Sequence, residues 1–142
     1  MYRRILVPLE HGAADATVLG HVRRLAKLCG AEVVLIHVAD GWAARNIKEL
    51  ELRESEEMRD DRAYLERVCA ELRQTGIEAD AVLAGGDPAK EIAAAAAREE
   101  CDLIAMATHG HRLFEDVVEG STATGLRHIT KVPILMVRAE RT

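Results

Sequence analysis

Aromatic side chains are scarce in this chain: Tyr2, Trp42, Tyr64 and Phe114 make up 3% of 142 residues. A core must therefore be built from Val, Ile, Leu and Ala, and the stacking platforms used by single-strand nucleic-acid binders are poorly supplied. Positive charge is also short, with 19 Lys and Arg against 24 Asp and Glu and a formal net charge of −5. That balance counts against general binding to DNA, RNA or a membrane surface, which are anionic partners. Cysteine is limited to Cys29, Cys69 and Cys101, with no C-x-x-C pair, which opposes a zinc knuckle or a thioredoxin-like centre. These three are expected to be buried or half-buried free thiols. No apolar run approaches the roughly 20 residues of a membrane span. The chain passes directly from "MYRR" into an apolar run, and a cytoplasmic protein is expected. There is no Pro/Ser-rich linker, charge block or internal repeat, so residues 1–142 are expected to form one domain. The chain has no G-x-x-x-x-G-K-[ST], no G-x-S-x-G and no Cys/His nucleophile pair. Catalysis thus has no visible engine.

What is present is alternation. Five short apolar runs, near Arg4–Leu9, Glu32–Val38, Glu78–Ala84, Asp102–Ala107 and Pro133–Arg138, are separated by segments of helical periodicity. That order predicts βαβ units and a parallel sheet with helices on both faces. The first helix is expected over Ala14–Cys29, with Val18, Val22, Leu25 and Leu28 at helical spacing and Gly30 as its carboxy-terminal cap. The highly charged stretch from Asn46 to Thr75 keeps a stripe of Met58, Leu65, Val68, Cys69 and Leu72, and predicts one amphipathic helix, or two with a bend, closed by Gly76. Asp87-Pro88 pairs a capping acid with proline at the first helical position, with Glu91 at or near the third position past the cap. The alanine run Ala93–Ala97 predicts close packing on the sheet.

The segment "ATHGHRLFEDVVEGS", Ala107 to Ser121, follows the fourth apolar run and leads into a helical pattern. Free backbone N–H groups and the positive end of the helix dipole would make that helix start a suitable seat for an anion. Glycine at 110 and 120 removes a side chain from between backbone amide and phosphate, or allows positive φ. Ser121 adds a hydroxyl at the same helix start.

The spacing Ala107, two residues, Gly110, nine residues, Gly120-Ser121 resembles the glycine signature of the universal stress protein family, with alanine in place of its first glycine. "RRILVPLE", "AEVVLIHV" and "VPILMVR" resemble that family's first, second and closing strands, so the likeness covers essentially the whole chain. The resemblance implies an α/β, Rossmann-like open parallel sheet of order 3-2-1-4-5. It also implies a nucleotide, ATP or AMP, with or without Mg, in the crevice where strand order reverses. Pro8, Glu10, Val38, Met106 and Ala107 match positions around adenine and ribose, whereas Gly110, Gly120, Ser121 and Thr122 match phosphate-holding positions. Leu9 should face the fourth strand across the crevice. With His109, His111 and Arg112 it completes the candidate cofactor-binding set.

Two departures stand out. The family's usual Asp after the first strand is Glu10 here, one carbon–carbon bond longer, and Ala107 adds a methyl where backbone approaches the nucleotide. His109 and His111 as metal ligands are opposed by their alternation in an extended loop and by the lack of an evident third ligand. His111 and Arg112 stand equally as partial phosphate neutralisers or as solvated loop residues. "HGHR" resembles the H-x-G-H motif of nucleotidyltransferases but follows the fourth strand rather than the first. His37 reads as a structural histidine, Asp40 as a cap or rim residue, and Trp42 as the cover of an apolar edge or a partner contact.

Three functions follow: a nucleotide-binding regulatory stress-response protein acting as a homodimer, a dimeric scaffold with an empty pocket, and a slow ATPase or adenylyl-transferring enzyme. The closing strand is apolar and falls at a sheet edge in the implied order, a template for a second copy of the chain, and the family resemblance implies that the two copies pair antiparallel across a twofold axis.

Overall fold

The computed structural model describes residues 1–39, 51–108 and 122–139, the side chains of 51–55 excepted. Strands β1 (Arg4–Pro8), β2 (Glu32–Ala39), β3 (Ala79–Gly85), β4 (Leu103–Thr108) and β5 (Ile134–Arg138) form one sheet of order β3-β2-β1-β4-β5, all neighbours parallel. Between them lie helices α1 (Ala14–Cys29), α2 (Glu51–Gln74), α3 (Pro88–Arg98) and α4, whose described part is 122–129. This is the doubly wound architecture and strand order expected, with strand ends shifted by a residue.

Side-chain alternation along the central strands divides the core into two layers. Ile5 and Val7 of β1, Val33 and Leu35 of β2, and Leu103 and Ala105 of β4 pack with Val18 and Val22 of α1 and with Leu65 and Leu72 of α2. Their neighbours Leu6, Val34, Ile36 and Ile104 point to the opposite face and meet Ile92, Ala95 and Ala96 of α3 and Leu126 of α4. The alanines of α3 let that helix lie close to the sheet, and Gly125 of α4 carries the same logic further. A Cβ at Gly125 would stand 3.4 Å from the Ala89 methyl.

Helix ends follow local chemistry. Gly30 takes φ 69°, ψ 32° after α1, a conformation costly for residues with a Cβ. Asp87 accepts a bond from the Lys90 amide at 3.0 Å, with Pro88 at the first helical position. Glu91 stands one position beyond the third, so the reciprocal capping partner is Lys90's backbone alone. Leu28, expected on the buried stripe, is 85% exposed. At ~100° per residue it lies about 120° round the helix from Val22, and Ala26 and Leu19 hold the face instead. Cys69 and Cys101 are buried and Cys29 is half-buried, all three as free thiols. Burial pushes the Cys101 thiol up to about 11 and also raises that of Cys69.

At the amino-terminal edge of the sheet, Asp102 accepts from the amides of Arg3 (3.1 and 2.9 Å) and Arg4 (3.0 Å). Those bonds to the charged form outweigh the desolvation that opposes them and hold the Asp102 carboxyl below its usual range. Among the described residues no helix is long and apolar enough to cross a membrane.

Candidate functional site

The carboxyl ends of the strands open where β1 and β4 part. Their register runs Ile5–Leu103 and Leu6–Ile104 and stops there. Meanwhile β1 stays paired with β2 as far as Pro8–Ile36, and β4 stays with β5 to Thr108–Arg138. β1 and β4 carry crossovers leading to opposite sides of the sheet, so none of the described residues fills the gap between their ends. The result is a cavity of about 380 Å³, inside the roughly 300–1,000 Å³ span of small-molecule sites.

The cavity gathers Pro8, Leu9 and Glu10 from β1 and its loop, Val38 from β2, Met106 and Ala107 from β4, and Thr122 from α4. Seven of the sequence-derived candidates thus meet in one place. His109, Gly110, His111, Arg112, Gly120 and Ser121 lie outside the described residues, as do Asp40 and Trp42. The walls also include residues the sequence reading did not select: Asp15, Ile36, His37, Ile92 and Met136 among them. Ile92 carried a readable signal, since it lies on the apolar face of α3 that packs on the sheet. Most of the wall is aliphatic or thioether, with Glu10, Asp15, His37 and Thr122 as its polar members.

Asp15 organises the loop after β1. Helix α1 begins at Ala13 with no capping side chain. Asp15 supplies the missing acceptor from inside the first turn, reaching back to the amides of Glu10 (3.0 Å), His11 (2.9 Å) and Gly12 (3.2 Å). A fourth donor, the Tyr64 hydroxyl of α2, meets the same carboxylate at 2.6 Å. The carboxylate is only 3% exposed. Four donors and the positive end of α1 are what make a buried charge tolerable there. Burial first, then the bond to Asp15 and its charge, raises the Tyr64 phenol well above its ordinary value, so the hydroxyl stays a donor. The turn also holds His11 at φ 63°, an uncommon conformation for a residue with a Cβ.

This cradle has a functional consequence. The amides of residues 10–12 point at an internal carboxylate, so a phosphate cannot use them. The phosphate chemistry of a nucleotidyltransferase, which works from the loop after the first strand, has no seat in "EHGAAD".

His37 stands on the wall opposite. Its Nδ1 lies 2.8 Å from the Leu9 carbonyl oxygen and its Nε2 lies 3.3 Å from Asp61 Oδ2 of α2. Asp61 Oδ1 in turn meets His11 Nδ1 at 2.9 Å. The His11 ring stacks on Tyr64 with centroids 4.1 Å apart, and the Arg67 guanidinium lies 5.5 Å from the Tyr64 centroid. Among the described residues no cluster of three or more His, Cys, Asp or Glu has the arrangement of a metal site.

A cavity at the reversal point of a 3-2-1-4-5 sheet, with one loop sealed by its own carboxylate, defines a Rossmann-like α/β fold with an open crevice of small-molecule size. Comparison with known proteins narrows this. The model of the universal stress protein family matches residues 1–138. A universal stress protein of Methanothermobacter thermautotrophicus is 31% identical over 147 residues, covering 97% of each chain. The solved structure of the Methanocaldococcus jannaschii protein MJ0577 superposes with a TM-score of 0.82 at 26% identity, covering 100% of this chain and 99% of that one. Two further universal stress protein structures share the fold and contain nucleotides. One is a complex with cAMP (TM-score 0.70, 14% identity, 98% of each chain). The other, from Archaeoglobus fulgidus, is a complex with dAMP (TM-score 0.66, 20% identity, 96% of this chain and 98% of that one). The chain belongs to the universal stress protein family.

Proposed function

We propose that this protein binds an adenine nucleotide of the AMP or ATP class, with or without Mg, in the crevice between β1 and β4. Its role is to report that occupancy as a regulatory protein. The observation that carries this reading is the ending of the β1–β4 register at Leu6–Ile104, which opens a largely apolar slot of nucleoside size walled by Pro8, Ile36, Val38, Met106 and Met136. A flat base suits such a slot, and Glu10, His37 and Thr122 offer the few polar contacts that would orient it. The sequence pattern Gly110, Gly120, Ser121 is then the phosphate end, reached from Ala107 and Thr122 at the edges of the described structure. Family members that hold cAMP and dAMP support the ligand class.

In this reading the whole chain acts as one such domain and as a homodimer through β5. That strand is the sheet's edge, and Met136 on it is 42% exposed. Three free thiols fit a reducing, cytoplasmic setting. Binding, rather than turnover, is the activity: the wall groups Glu10, His37 and Thr122 provide orientation without a positioned nucleophile.

The test is to denature the purified protein, identify any released small molecule by mass spectrometry, and titrate the emptied protein with AMP, ATP and cAMP by calorimetry. Near-stoichiometric AMP or ATP, or micromolar binding after refolding, is the expected result. No released nucleotide and no heat at millimolar ligand would refute the reading and leave a scaffold with an empty pocket.

A further inference from the structure

The His37 ring is caught between two acceptors. At 2.8 Å from the Leu9 carbonyl oxygen, Nδ1 must carry a hydrogen, because a carbonyl only accepts. In a neutral ring Nε2 would then present a lone pair to Asp61 Oδ2 at 3.3 Å, acceptor against acceptor. Both contacts are hydrogen bonds only when His37 is an imidazolium. His11 faces no such conflict, since a neutral ring with hydrogen on Nδ1 already satisfies Asp61 Oδ1 at 2.9 Å.

We infer that Asp61 of α2 is a positioning residue for the nucleotide pocket, acting through a clamp to His37 that holds only while His37 keeps its second proton. The inference rests on the nucleotide reading above. What the clamp positions is the pocket wall at Leu9 and Glu10. His37 fixes the Leu9 carbonyl, and the Leu9 amide donates to the Ile36 carbonyl at 2.8 Å. Asp61 ties that assembly to α2. When His37 loses its proton, repulsion between Nε2 and the carboxylate shifts Asp61 toward His11 alone, and α2 slackens against the wall.

The charged and titratable groups around the clamp come from three elements. The loop after β1 contributes Glu10 and His11, α1 contributes Asp15, and α2 contributes Asp61 and Tyr64, with Arg67 across the Tyr64 ring. From β3 the register places Leu83, without charge, beside His37. Asp15 is already saturated by four donors, so Asp61 is the carboxylate whose partners change with the state of His37.

The experiment compares wild type with Asp61→Asn. Asparagine keeps the shape: its carbonyl accepts from position 11, and its amide donates to the bare Nε2 of neutral His37, so the clamp now holds with His37 neutral and meets donor against donor when His37 is charged. The probe is cAMP, whose phosphodiester does not titrate in the window from about pH 5 to about pH 8 where histidine side chains change charge. Histidines that do not touch Asp61 are the same in both proteins, and because His11 does touch it, both are compared in a His11→Gln background, whose side-chain amide still donates to position 61. Wild-type affinity for cAMP should fall about three- to tenfold across the window, as one charge-assisted bond is lost, and the Asp61→Asn profile should stay flat or rise. Parallel profiles would overturn the clamp. A second readout needs no ligand: imidazole nitrogen shifts of His37 and amide exchange of α2, followed by NMR over the same window. Exchange in α2 should quicken with His37 deprotonation in wild type and not in Asp61→Asn. If neither protein binds cAMP, AMP or ATP, the nucleotide reading fails, while the exchange data still decide the clamp. Equal exchange in both proteins would overturn it.

Discussion

Replacing Asp15 by alanine removes one acceptor and strands four donors, the amides of residues 10–12 and the Tyr64 hydroxyl. A buried donor left without a partner costs about 1–3 kcal/mol. The full sum does not apply here, because Glu10, His11 and Gly12 are exposed and water can reach their amides once the turn relaxes. The loss should be about 3 kcal/mol, most of it from the Tyr64 hydroxyl, the closed turn and the missing helix cap. For a domain of this length that is roughly 6–12 °C in melting temperature. Asp15→Asn should cost less, about 1.5 kcal/mol: turned to place its oxygen where Oδ2 stands, it keeps three donors and gives up the Glu10 amide and the charge. Tyr64→Phe keeps the stack on His11 and loses one charge-assisted bond, also about 1.5–2 kcal/mol. The assay is urea unfolding followed by circular dichroism, with unchanged m-values showing that the unfolded ensembles compare. Asp15→Ala within about 0.5 kcal/mol of wild type would mean that the cradle does not carry the loop, and the reasoning would fail.

Leu135→Lys on the edge strand β5 should shift the protein from dimer to monomer in light scattering at micromolar concentration. A wild type that is monomeric there would refute the β5 pairing. If Gly120 stands at the phosphate end as proposed, Gly120→Asp sets a like charge against the nucleotide. It should cost at least about tenfold to a hundredfold in ATP affinity by calorimetry, with circular dichroism and dimer intact, and Ser121→Ala should show a milder loss. Asp102, held below its usual range, gives stability that is complete above the unfolded carboxylate's range and fades as pH falls through the lower native value. Asp102→Asn should therefore be less stable than wild type at neutral pH, and the gap should narrow in acid unfolding curves; a gap independent of pH would contradict that assignment.

The sheet was legible because its signals are local and repeated. Apolar runs such as "DLIAM" and "EVVLIHV", separated by helical periods, leave little choice but buried parallel strands, and Gly30 and Asp87-Pro88 mark helix ends by backbone chemistry alone. Leu28 misled because a stripe drawn at i+3 and i+4 drifts round the helix, and only the sheet decides which edge of the stripe is covered. Within the site, Pro8, Glu10, Met106 and Ala107 were found by position at strand ends together with the family resemblance, and Val38 by the resemblance alone. Asp15 and Asp61 were not. Asp15 looks like an ordinary first-turn acid, and its role depends on Tyr64, 49 residues away. Asp61 lies in the most charged stretch of the chain, where nothing local distinguishes it from Asp60. Only tertiary packing brings it to His11 and His37.

The central claim is that an adenine nucleotide occupies the β1–β4 crevice, and the most direct measurement is amide and methyl NMR of the labelled protein titrated with AMP. The account predicts saturable shifts concentrated at Leu9, Glu10, Val38, Met106, Ala107 and Thr122, with little change at the opposite edge around Arg4 and Asp102. Shifts that saturate but map to that opposite edge or to the outer face of α2, or no shifts at millimolar AMP, would contradict it.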